Sequence, residues 1–281
     1  MSVKQHEVLI ESGHSEKHYW RDLWRNRELL YILSKRDISV RYKQTVLGTS
    51  WSFIRPLTTM LIMVFVFSKV AKLKGDPGIP YPLMVLAGIT IWTFFANAFT
   101  QISTSITANA NLVTKVYFPR LIMPLSSTVV SFVDFLVSLV LFLVVAAWYR
   151  FIPDWHIVFL PVFMLLALLA AVGFGLIFAV LNVRFRDIAQ LIPFMVQIGF
   201  YICPIAYSSR LVEQNTSEWW SPLYFLNPMV GIIDGFRWSL LGSNAFFYPN
   251  SVLYSVLIIS VFLIVSLYFF RKRENTFVDD I

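Results

Sequence analysis

The residues that could do chemistry in this chain fall into three groups. Gln190, Phe194, Gln197 and Tyr201 recur at spacings of four, three and four. On a helix that rhythm puts two amides and two aromatic rings on one face. Amides bond hydroxyls and rings stack on the C–H faces of pyranoses, so the stripe suits a sugar. It suits equally a helix–helix interface bonded through the amides. Ser127, Ser131, Asp134 and Ser138 repeat the same rhythm. An acid inside a bilayer is expensive and faces the bundle interior or water. Asp134 could relay a proton or substrate. With no intramembrane basic partner in view, a hydrogen-bonded packing seam, in which serines permit close approach, reads better. The third group is Arg55, Arg184 and Arg186, whose forked guanidiniums bind phosphate oxygens bidentately. The competing reading is ordinary anchoring at a basic membrane face, with Arg186 paired to Asp187. Arg55 is the best phosphate candidate, because a charge one turn inside an apolar run must find a partner.

Other chemistries are poorly served. Cys203 is the only cysteine, so neither a disulfide framework nor a C-x-x-C site is available. His6, His14, His18 and His156 are not spaced as metal ligands, and none sits among acids as an enzyme site would require. No G-x-x-x-x-G-K-[ST] loop cradles nucleotide phosphates, so energy from ATP would have to come from a partner chain.

These groups sit in or beside six apolar stretches: 51–70, 83–99, 121–148, 157–181, 191–207 and 252–270. About 20 apolar residues in a helix cover the hydrocarbon core, and helices satisfy their own backbone there. Composition agrees, with 57% hydrophobic residues, 14% charged and a mean hydropathy of +0.67. The expected fold is therefore an all-α integral membrane protein with six transmembrane helices, with no room for a separate soluble domain. The net charge of +7 reads as topology, not as nucleic-acid binding. Lys4, Lys17, Arg21, Arg25, Arg27, Lys35, Arg36, Arg41 and Lys43 precede the first stretch, and Arg271, Lys272 and Arg273 follow the last. Lys115, Arg120, Arg184 and Arg186 fall on the same side, which places both termini in the cytoplasm. Lys69, Lys72 and Lys74 form the one dissenting loop.

Two further segments are expected to lie at the membrane surfaces. Residues 20–34 place Trp20, Leu23, Trp24, Leu30 and Tyr31 on one face and Arg21 and Arg25 on another, the pattern of an interfacial amphipathic helix. Residues 209–250 carry Trp219, Trp220, Tyr224, Phe225, Phe236 and Trp238 with Asp234 and Arg237. They suit short outer re-entrant helices hinged at Asn227–Pro228 better than two further spans. The organisation is then a cytoplasmic segment at 1–50, a transmembrane domain at 51–270 and a cytoplasmic tail at 271–281.

Phrases along residues 20–273 also resemble a known family. They are Arg36-Asp37-Ile38, Arg41-Tyr42-Lys43, Leu47-Gly48, Trp51 and Pro56-Leu57, then Gly88, Trp92, Phe94 and Phe95. Asn111-Leu112-Val113, Lys115, Phe118-Pro119-Arg120 and Pro124 follow, then Arg186-Asp187-Ile188, Pro204-Ile205, Asn227-Pro228 and Arg237. In order and spacing these resemble the permease subunits of type-2 ABC exporters, in the branch that exports O-antigen, capsule or teichoic-acid polysaccharides. The resemblance implies a second copy of the same permease and two ATP-binding-cassette ATPase subunits as partners. ATP and Mg would belong to the ATPase, with no cofactor on this chain. It implies an undecaprenyl-pyrophosphate-linked polysaccharide as cargo and the bacterial inner membrane as location. The coupling segment would be 104–119, with Asn109, Asn111, Lys115 and Tyr117 as handles. Spans one and five would line the channel through Thr59, Gln190, Phe194, Gln197 and Tyr201. Trp219, Trp220, Asn227, Pro228 and Phe236 would form the outer gate. A type-2 exporter of drugs or small lipids is the nearest alternative. A secondary transporter would need more intramembrane charge than Asp134 and an internal repeat, and a membrane-embedded transferase would need clustered acids or histidines.

Overall fold

Every element of the computed structural model is helical among the described residues, which are 19–43, 50–73, 75–215 and 220–277. The helices are α1 (Tyr19–Arg25), α2 (Arg27–Lys43), α3 (Ser50–Met63, widening into a π turn at Val64–Val70), α4 (Tyr81–Ala108), α5 (Ala110–Lys115) and α6 (Ile122–Trp148). They continue as α7 (Leu160–Arg184), α8 (Ile188–Ile202), α9 (Ser209–Asn215), α10 (Trp220–Phe225), α11 (Pro228–Leu241) and α12 (Pro249–Arg273). Trp219 lies outside the described residues, as do residues 1–18 and 44–49 of the expected 1–50 segment, with Leu47 and Gly48, and residues 278–281 of the expected 271–281 tail.

Five helical stretches are long and apolar enough to cross a membrane: Ser50–Val70, Tyr81–Ala108, Ile122–Trp148, Trp155–Arg184 and Pro249–Thr276. The chain is a multi-pass membrane protein. α4 is its core: 83% of its apolar window is buried, against 11% for Ser50–Val70 and 17% for Pro249–Thr276. α6 and α7 pack on α4, through Phe94 against Phe135 and Phe99 against Phe178. Asn182 of α7 donates its amide to Ser103 O at 3.2 Å and Thr107 Oγ1 at 3.1 Å, so a buried polar group ties the two helices.

The stretch expected at 191–207 is a shorter apolar helix of 15 residues, Ile188–Ile202. Pro204 explains the early stop. A residue before proline is pushed out of the helical region, and Cys203 sits at φ −78, ψ 152. The irregular, bent piece at 203–207 has lost the helical partners of its carbonyls. Arg237 of α11, itself 2% exposed, takes two of them, its guanidinium donating to Ile205 O at 2.8 Å and Tyr207 O at 3.0 Å, and it also donates to Met84 O of α4 at 3.1 Å. Asp234 lies one turn away, 4.0 Å from Arg237. Asp76, in the connection after α3, accepts from Ser208 Oγ at 2.7 Å and from Phe246 N at 2.9 Å. Three irregular segments are thereby pinned together at this end of the bundle.

The other end carries most of the basic residues, among them Arg36, Lys115, Arg120, Arg184 and Arg271. α1 and α2 form a longer helical segment than the expected 20–34, broken at Asn26 and running to Lys43. The expected single apolar face divides. Leu23 and Leu30 pack on the core, while Trp20, Trp24 and Tyr31 stay exposed. Tyr19 donates to Glu274 at 2.9 Å, and Arg271 lies 4.5 Å above the Tyr19 ring, so the start and end of the described chain meet here. Burial, reinforced by the Glu274 carboxylate, pushes the Tyr19 phenol above its ordinary range, so it remains a donor.

Candidate functional site

α8 has two faces with opposite fates. Ile192 and Cys203 are buried and Val196 and Gly199 half-buried, on the side that packs against α4 and α7. A Cβ on Gly199 would stand 2.5 Å from the Trp92 ring, so only glycine lets the two helices approach this closely. Gln190, Phe194, Gln197 and Tyr201 are offset from that set by two residues, about 200° around the helix. All four are exposed, Phe194 at 57% and Tyr201 at 65%. α12 is exposed too, but its exposed face is apolar, with Leu253, Leu257, Val261, Ile264 and Val265. Its one exposed serine, Ser260, bonds back to Val256 O at 2.7 Å. Two free amides facing hydrocarbon would cost several kcal/mol, so α12 suits lipid and the α8 stripe does not.

A second feature lies where α2 and α3 meet α4 and α6. A cavity of about 470 Å³ is lined by Arg41, Tyr42, Trp51, Ser52, Arg55, Asn97, Asp134 and Ser138, among others. Asp134 is the hub. Its Oδ1 accepts from Tyr42 at 2.6 Å and from Ser52 at 3.0 Å, and Arg41 forms an ion pair with its Oδ2 at 2.6 Å. Burial and the neighbouring carboxylate push the Tyr42 phenol up, keeping it a donor. Gln101, its amide turned to suit its neighbours, donates to Ser127 O at 2.7 Å and accepts from Arg41 Nη1 at 3.2 Å and Ser131 Oγ at 3.1 Å. The serine–acid face of α6 is therefore a bonded seam, but the expectation that Asp134 lacks a basic partner is corrected. Arg41, which reads in sequence as one cation of a basic run, reaches it from α2. Arg55 is exposed beside the cavity, 5.8 Å from the Trp51 ring, and among the described residues no carboxylate pairs with it. Two arginines against one aspartate leave the cavity with a net positive charge.

The three arginines considered together in sequence are not together in space. Arg55 lines this cavity. Arg184 lines a separate recess between α7 and α12, and Arg186 stands exposed on the connection into α8. Thr59 is half-buried on α3.

The expected coupling segment is a six-residue helix, α5, at the basic end. Val113, Phe118 and Pro119 are buried and hold it, while Asn111, Lys115 and Tyr117 are exposed. Asn109 is turned inward instead. It accepts from Arg36 at 2.7 Å and donates to Ser105 O at 2.9 Å. A groove of about 510 Å³ lined by Arg36, Arg41, Gln101 and Asn109 runs between α2 and α4, so Arg41 borders both the cavity and the approach to α5.

At the opposite end, Asn227 caps α11 by accepting from Met229 N at 3.0 Å, with Pro228 in the first turn, where a missing N–H is harmless. Trp220 is 64% exposed, whereas Phe236 is fully buried, its ring 6.0 Å from that of Phe135. Phe236 thus sits in the core of the chain, not on an exposed face. Arg237 and Asp76 organise this end; the sequence marked Arg237 as part of the 209–250 segment and the family phrases, and carried no signal for Asp76.

A helical bundle with an exposed polar stripe on a short apolar helix and a further short exposed helix at its basic end has the layout of a membrane permease. The chain matches the ABC-2 type transporter family over residues 28–241, and it belongs to that family. O-antigen export system permease protein RfbA of Myxococcus xanthus is 30% identical over 217 residues, 77% of this chain and 82% of that protein. A Klebsiella pneumoniae protein of the same name is 30% identical over 259 residues, 90% of this chain and 94% of that protein. Polysialic acid transport protein KpsM of Escherichia coli is 22% identical over 245 residues, 85% of this chain and 91% of that protein.

Proposed function

We propose that this chain is the permease subunit of an ATP-driven exporter that moves an undecaprenyl-pyrophosphate-linked polysaccharide, an O-antigen, across the bacterial cytoplasmic membrane. α8 serves as a fifth of six crossings, completed by the irregular residues 203–207, and both termini are cytoplasmic. Two copies meet so that α3 and α8 of each enclose the path. Two ATPase subunits carry ATP and Mg and dock at α5 through Asn111, Lys115 and Tyr117. α1 and the first turns of α2 lie in the headgroup layer, with Trp20, Trp24 and Tyr31 toward lipid, and the end of α2 enters beside α6, where Arg41 and Tyr42 meet Asp134. α10 and α11 fold back into the outer leaflet, and Trp220 beside the Asn227–Pro228 hinge closes the exit.

The observation that carries this reading is the uncovered α8 stripe of Gln190, Phe194, Gln197 and Tyr201. A glycan must slide, so its path needs weak, repeated contacts. Amides exchange hydrogen bonds with successive hydroxyls and rings stack on successive sugars, with no charge to trap an intermediate. At the inner mouth, the Arg55 and Arg41 guanidiniums suit the pyrophosphate. The names of the relatives support the cargo class. The test is complementation: the chain, expressed with its ATPase in a host that makes lipid-linked O-antigen but lacks its own exporter, should restore surface polysaccharide. Polysaccharide that stays cytoplasmic despite an assembled complex would refute the reading.

A further inference from the structure

The ends of α7 and α12 part around a recess of about 230 Å³, lined by Arg184, Arg273 and Thr276 and walled by Leu181, Phe269 and Phe277. Farther into the membrane the same helices touch. A Cβ on Gly173 would stand 3.3 Å from Leu263 N, and the Phe174 and Phe262 rings are 4.5 Å apart. Roughly ten residues on, about 15 Å along the axes, the helices have separated enough to leave the recess. Arg184 and Arg273 are the last residues of their helices, so both guanidiniums stand at one membrane boundary. Among the described residues neither forms an ion pair or donates to a helix-end carbonyl. Arg184 only overlies the neighbouring Phe185 ring, at 5.4 Å.

We propose that this recess binds the phosphodiester headgroup of an anionic membrane phospholipid, with its acyl chains along the apolar α7–α12 groove. Ordinary anchoring arginines spread into the headgroup layer. These two instead share one recess, and the aromatic and aliphatic walls beneath them match acyl chain, not water. Basic pockets between transmembrane helices are suited to anionic lipid in this way. The occupant is a bilayer lipid and not the transported one, because neither α3 nor α8 lines the recess and Arg55 lies in a different cavity. The bound lipid would brace α12, whose apolar window is only 17% buried by protein.

The test is native mass spectrometry of the full-length protein, delipidated and titrated separately with phosphatidylglycerol, phosphatidylcholine and undecaprenyl pyrophosphate. Each arginine near a headgroup is worth a factor of roughly five. Retained phosphatidylglycerol should therefore fall by about tenfold or more in R184Q/R273Q, while phosphatidylcholine adducts stay unchanged. Leu181→Trp, which fills the wall without altering charge, should also lower phosphatidylglycerol retention, and it carries the test if the double variant misfolds. Equal phosphatidylglycerol retention by wild type and a folded variant overturns the proposal. So does a selective loss of undecaprenyl pyrophosphate adducts with phosphatidylglycerol unchanged, which would assign the recess to the transported lipid.

Discussion

Arg41, near the end of a basic helix, lies 2.6 Å from Asp134, in the middle of an apolar one. The pair resolves two local problems together. Asp134 is an acid that a bilayer would not tolerate alone, and Arg41 is a cation held beside a cavity. Tyr42 and Ser52 complete the carboxylate's shell, so the junction of α2 and α3 is fastened to α6. Breaking such a pair from one side leaves the other charge stranded. We expect Asp134→Asn to lower stability by about 2–4 kcal/mol, with Arg41→Gln losing less because its side chain is 36% exposed. In a double-mutant cycle read by thermal melting in detergent, the pair should show a coupling of about 1–3 kcal/mol. Additive losses would mean that the two residues act separately.

The pair also marks where sequence reading ended. The long apolar runs were legible because burial of whole segments leaves a pattern along the chain. The α8 stripe was legible because helical spacing places Gln197 and Tyr201 on one face. Arg41 was not, because a run of basic residues looks the same whether each cation faces water or one of them turns inward to a distant acid. The end of α8 was half-legible. Pro193 lies inside the helix and Pro204 ends it, and local sequence does not distinguish a proline whose freed carbonyls find partners from one whose carbonyls do not. Phe236 read as a gate residue because its segment is aromatic and interrupted by charge. Its ring packs on Phe135 through a tertiary contact that no periodicity announces.

Arg237 is the second point where one side chain holds several segments. Replacing it with leucine would strand the carbonyls of Met84, Ile205 and Tyr207 and leave Asp234 without its neighbour. We expect a loss of about 3–5 kcal/mol, seen as a lower melting temperature. Arg237→Lys should recover only part of it, because an ammonium lacks the planar fork that spans the three acceptors. Full recovery by lysine would show that charge alone matters there.

Lys115 is exposed on a helix whose other side is fixed by Val113 and Phe118. If α5 is the docking surface, Lys115→Glu should weaken ATPase association by about fivefold to tenfold, with greater sensitivity to salt. Melting of the permease alone should not change. Co-purification across a salt series measures this. Undiminished association at every salt concentration would move the contact elsewhere.

Arg55 has no carboxylate partner among the described residues, and its cavity already holds Arg41. Removing it should leave the fold intact and weaken binding of the lipid-linked substrate. Charge-assisted bonds to phosphate are worth about 1.5–3 kcal/mol, so Arg55→Ala should raise the dissociation constant by about tenfold or more. Arg55→Lys should restore part of the affinity. Binding that is unchanged in Arg55→Ala would remove the pyrophosphate from this mouth.

The α8 stripe makes the strongest demand on the proposed path. Phe194 and Tyr201 are exposed at 57% and 65%, while Ile192, between them and the core, is fully buried. Truncating the two rings should therefore cost the protomer little stability. A site that only glued helices together would respond differently, losing the assembled dimer along with transport. Stacking of a sugar on one ring is weak, so each ring guides and neither holds. F194A/Y201A should cut surface polysaccharide by about tenfold while the complex with the ATPase still forms, since each ring contributes on the order of 1 kcal/mol to a stacked contact. A cysteine at Gln197 should become accessible to a small aqueous thiol reagent in the assembled exporter and lose that access while glycan occupies the path. Labelling only by lipid-soluble reagents would instead turn this face toward the bilayer. The two amides would then need another explanation.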